Sequence, residues 1–64
     1  MKYLNNHIQD LYDGKKITYR GKVYWLNDTA SEIYAQSVEA EMSGCILGYK
    51  VADVINGVIV AARG

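Results

Sequence analysis

Asn56-Gly57, set between two apolar runs, constrains this 64-residue chain more than any other feature. Both residues tolerate a positive φ, which a two-residue hairpin turn requires, and no stronger short-range turn signal exists. The register follows at once. Ile55 should face Val58 and Asp53 should face Val60, which places Tyr49, Val51, Ile55, Val58, Val60 and Ala62 on the more apolar face with Asp53 as the misfit. The run from Val58 to Ala62 has no polar alternation, the pattern of a strand buried on both faces or covered by another subunit.

A second hairpin is legible around Arg20-Gly21, which divides a β-branched and aromatic stretch into runs 16–19 and 22–26. With a two-residue turn, Ile17 faces Tyr24 and Thr18 faces Val23. Ile17, Tyr24 and Leu26 then share one face, and Val23 and Trp25 the other.

Two segments read as helices. In residues 2–13, Leu4, Ile8, Leu11 and Tyr12 recur at spacings of three and four, and Asp13-Gly14 supplies the stop. In residues 28–43, Thr29 and Glu32 make a capping box, and Ala30, Ile33, Tyr34, Val38 and Met42 form one stripe ending before Gly44. The order α-β-β-α-β-β predicts a single α+β domain over residues 1–64, an antiparallel sheet of two hairpins with helices packed on one face.

Composition bears on function mainly by what it excludes. A domain of this size buries only about 60% of the surface its unfolded chain exposes. Cys45 is the one cysteine and His7 the one histidine. An internal disulfide and a structural zinc site are thereby excluded. Cys45 reads as a small core residue beside the helix end, and His7 as solvent-facing. Neither has a partner that would activate it, so the expectation is a protein without catalytic residues, cofactor or metal. Glu32 and Glu39 fall two turns apart on one face of the second helix, too far apart to share a cation, and Glu41 points elsewhere, so a solvated face is the reading. No apolar run spans a membrane and no signal segment is evident, which sets the expectation of a cytoplasmic protein.

Seven basic and seven acidic residues cancel, yet five of the basic ones precede residue 26, against Asp10 and Asp13, and between 26 and 47 the charges are all acidic. Six tyrosines and one tryptophan accompany no phenylalanine. Such side chains give contact area at low entropic cost and are favoured at recognition surfaces. The hairpin gathers Lys16, Tyr19, Arg20, Lys22, Tyr24 and Trp25, the mixture found at the energetic centre of protein interfaces and on platforms for single-stranded nucleic acid. With Glu32 and Glu39 on the acidic helix face, these are the candidate binding residues. In kind, a proline-free chain of this length with two hairpins resembles the small stand-alone proteins of bacteriophage and mobile-element genomes. That resemblance implies a stoichiometric inhibitor of a host protein, of the anti-defence or host-takeover type. The leading expectation is therefore a non-enzymatic protein-binding modulator. A nucleic-acid-binding module on the basic hairpin is the alternative, and a homodimer or larger assembly through the apolar last strand is the third.

Overall fold

Two type I′ turns organise the chain. The computed structural model describes residues 2–44 and 48–61, and in it Arg20 and Gly21 have φ of 50° and 76°, Asn56 and Gly57 of 53° and 77°. Both hairpins have the register expected from the sequence: Ile17 pairs with Tyr24 and Thr18 with Val23, and Asp53 pairs with Val60 and Ile55 with Val58. The strands are β1 (Ile17–Tyr19), β2 (Lys22–Leu26), β3 (Glu32–Ser37), β4 (Tyr49–Ile55) and β5 (Val58–Ala61). They form one curled antiparallel sheet in the order β1-β2-β3-β4-β5.

β3 corrects the expected second long helix. Residues 32–37 are a strand between the hairpins, and only Val38–Met42 is helical. Its alternation is as legible as the helical stripe, since Ile33 and Ala35 are fully buried on one face while Tyr34 points to the other. The deciding term is backbone satisfaction. Two separate hairpins would each leave an inner edge of unpaired N–H and C=O groups, and β3 pairs with both. The supposed capping box belongs instead to the β2–β3 loop. Asn27 Oδ1 accepts hydrogen bonds from the Ser31 and Glu32 amides at 2.9 Å each, and its Nδ2 donates to Thr29 Oγ1 and Glu32 Oε1. Ala30 there has φ of 56°, outside any helix. The true N-cap is Ser37, whose Oγ accepts from the Ala40 amide.

The N-terminal helical segment is divided at His7 into α1 (Lys2–Asn6) and α2 (Ile8–Tyr12), and ends at Asp13-Gly14 as expected, with Gly14 at φ 84°. Leu4 and Leu11 from these helices are buried with Ile33, Ala52 and Ile59, and Ile8, Ile17, Tyr24, Leu26, Val51 and Val54 pack around them. α3 (Val38–Met42) lies against the opposite face, where Gln36 Nε2 donates to Glu41 Oε2 at 2.6 Å over buried Val23. The helices are thus on both faces rather than one. Among the described residues, the Gln36 Oε1 atom is buried without a hydrogen-bond partner.

A bulge decides which side of the second hairpin is inside. Ile33 pairs with Ala52 but Tyr34 pairs with Lys50, so Val51 is the extra residue. Ala52, Val54 and Ile59 face the core. Ile55, Val58 and Val60, members of the more apolar face in the sequence, are 54%, 51% and 46% exposed. Nor is the last strand buried on both sides, since only Ile59 of β5 is buried. Ala62 and Cys45 lie outside the described residues.

α1 also completes the sheet edge. The pair flanking a two-residue turn exchanges both ladder bonds, so the next pair, Val54 and Ile59, does not, and the Ile59 N–H and C=O point away from β4. Asn5 occupies that position. Its Oδ1 accepts from Ile59 N at 2.8 Å and its Nδ2 donates to Ile59 O at 3.0 Å.

Candidate binding surface

The β1–β2 turn forms one end of a surface assembled from three parts of the chain. Tyr19 stacks on Tyr3 of α1 at 4.1 Å between centroids with 16° between planes, and Tyr3 in turn meets the His7 ring at 4.7 Å. His7 is therefore half-buried, not simply solvent-facing. The Arg20 guanidinium lies 5.2 Å from the Tyr19 ring, and the Lys22 ammonium 5.7 Å from the ring of Tyr49 on β4. The nearby Tyr49 hydroxyl raises the Lys22 pKa above its ordinary value. Lys2, Tyr3, Leu4, Tyr19 and Tyr24 line a groove of about 290 Å³ between α1 and the hairpin.

Charge pairing separates this end from the rest of the molecule. Lys15 is 3.8 Å from Asp10, Lys16 is 2.9 Å from Glu41, and Lys50 is 2.7 Å from Asp53 and 2.9 Å from Glu32. Lys50 is accordingly held well above the ordinary lysine range, by Asp53 first and then Glu32. Among the described residues, Lys2, Arg20 and Lys22 have no carboxylate within ion-pair distance.

The expected site residues are therefore divided. Tyr19, Arg20, Lys22 and Tyr24 come together, while Lys16 and Trp25 sit on the opposite face. There the Lys16 ammonium lies 5.6 Å from the Trp25 ring, which stacks with Tyr34 at 6.4 Å. Glu32 is on β3 and engaged by Lys50 and Asn27. Glu39 is exposed on α3. The acidic helix face does not form, because no helix carries both residues. Lys2, Tyr3 and Tyr49 are the members that sequence reasoning missed. Lys2-Tyr3 has the same basic and aromatic character as the hairpin, but only the packing of α1 brings them together.

Glu41 links α3 to the sheet, and its carboxyl is held below the ordinary value by Lys16 first and then by Gln36. A lowered carboxyl pKa contributes stability above the unfolded value of 4.5, lost as pH falls through the folded value. Melting curves across acid pH should therefore fall more steeply below about 4.5 for the native chain than for Glu41→Gln. Parallel profiles would show that this contact contributes nothing.

Among the described residues, no three His, Cys, Asp or Glu side chains gather to hold a metal ion, and no helix is long and apolar enough to cross a membrane. Comparison of the chain with known protein families, with characterised proteins and with solved structures finds no match.

Proposed function

We propose that this protein is a non-enzymatic binding protein that engages an acidic surface of a partner protein through the β1–β2 turn and the tyrosines around it. It would act as a stoichiometric modulator, of the kind that phages and mobile elements direct against host proteins. The observation that carries the reading is the segregation of cations. Lys15, Lys16 and Lys50 are matched internally, whereas Lys2, Arg20 and Lys22 are left beside Tyr3, Tyr19, Tyr24 and Tyr49. Tyrosine and arginine together dominate the energetic centres of protein interfaces.

Arg20 adds a second support. A side chain at positive φ costs about 1–2 kcal/mol, and asparagine or glycine is the usual occupant of this turn position. The exposed Arg20 beside the Tyr19 ring presents its charge at the tip of the turn, where a partner can reach it. Base stacking is less favoured, because Tyr3 and Tyr19 already cover one another and Arg20 and Lys22 lie near the Tyr19 and Tyr49 rings.

Affinity capture from a host lysate tests the proposal. A discrete protein partner should survive nuclease and be lost, with affinity reduced roughly tenfold or more, on Arg20→Glu with Lys22→Glu. Arg20→Asn should stabilise the fold by about 1 kcal/mol while weakening capture. Capture that collapses with nuclease, or that ignores all three substitutions, overturns the proposal.

A further inference from the structure

The groove between α1 and the β1–β2 hairpin has the composition of an anchor pocket. Leu4 and Tyr24 are continuous with the core, Tyr3 and Tyr19 supply the stacked aromatic pair, and Lys2 lines the same space. At about 290 Å³ it lies at the lower limit of ligand pockets, which run from about 300 to 1,000 Å³. That is room for one large side chain. Its apolar members ask for an apolar occupant, and the unmatched Lys2, Arg20 and Lys22 ask for negative charge on either side of it.

We infer that the groove receives a single aromatic or leucine side chain from an acidic segment of the partner, with aspartates or glutamates flanking that anchor. The inference rests on the reading of an acidic protein partner and adds a specific mode of engagement. The cations draw the segment in and orient it, while the desolvated anchor supplies most of the affinity. A flat electrostatic contact would use the cations alone. The mutual stacking of Tyr3 and Tyr19 favours a side chain entering beside the rings over a nucleobase, which would need a free ring face.

Selection from a random-peptide display library on the immobilised full chain tests this, with the Arg20→Glu, Lys22→Glu variant as counter-selection. Enriched peptides should carry acidic residues around one aromatic or leucine, and anchor-to-alanine versions should bind at least about tenfold more weakly by fluorescence anisotropy. Amide resonance shifts on titration should centre on Lys2, Tyr3, Tyr19 and Tyr24. No enrichment, enrichment without acidic bias, shifts elsewhere, or displacement by a thymidine oligonucleotide would overturn the inference. Peptides whose binding is lost on charge reversal but indifferent to the anchor would remove the pocket and leave the acidic-partner reading standing. Lysate capture indifferent to the charge-reversal variant would remove that reading itself.

Discussion

Asn5→Ala is expected to lower the melting temperature by roughly 10 °C or more and to make the protein self-associate at high concentration. The Asn5 amide supplies both hydrogen bonds to the outward N–H and C=O of Ile59, 54 residues away. Both bonds are half-buried, and losing them together costs about 1–3 kcal/mol. A domain of this length has roughly 3–10 kcal/mol in total, so the loss is a large share. The second effect follows from the same geometry. With Asn5 gone, β5 presents open backbone beside the exposed Val58 and Val60, which is a template for another strand. Asn5→Asp should not rescue, because a carboxylate keeps the acceptor for Ile59 N but is set against Ile59 O. Thermal denaturation and sedimentation together check both consequences, and a native melting point for Asn5→Ala would mean that α1 does not hold the sheet edge.

Gly48→Ala is expected to cost about 1–3 kcal/mol and to change the tryptophan emission. Gly48 precedes β4 and lies against Trp25, so a Cβ there would fall well inside contact distance of ring atoms Cζ2 and Cη2. Moving the half-buried indole would disturb its neighbours. Tyr34 stacks on it and the Lys16 ammonium lies near its ring, contacts worth about 0.5–1.5 and 0.5–1 kcal/mol respectively. Because the chain has one tryptophan, fluorescence reports this site alone. Combining Gly48→Ala with Trp25→Leu should cost less than the sum of the single changes, since the second removes what the first strikes. Additive losses would place the effect in the backbone of the segment instead.

The hairpins were legible because their signals are local. A two-residue turn needs positive φ at both positions, Asn-Gly meets that need, and a period of two then determines every cross-strand partner on either side. Arg20-Gly21 is a weaker version of the same signal, and its register was read equally well. The stops at Gly14 and Gly44 belong to the same class, a positive φ that glycine adopts without cost.

Residues 32–37 carry two periodicities at once, so the helical expectation there fails. Ile33, Tyr34 and Val38 suit a helix, and Ile33 with Ala35 suit a strand. Local propensity does not separate the two, and the unpaired inner edges of two hairpins elsewhere in the chain do. The bulge at Val51 had a comparable consequence, since one extra residue changed which side of β4 faces the core. The candidate surface was half legible. Tyr19, Arg20, Lys22 and Tyr24 are neighbours in sequence, but period two places Trp25 on the other face of the sheet.

The turns, the pairing within each hairpin and the basic aromatic character of the first one are written in the chain itself, as consequences of backbone dihedral demand and side-chain alternation over a few residues. The central strand, the inward face of the second hairpin, the edge closed by Asn5, and the meeting of Lys2, Tyr3 and Tyr49 with the turn arise from the folded arrangement. Those outcomes depend on satisfying backbone groups and burying apolar faces between segments far apart in the chain, which no local pattern encodes.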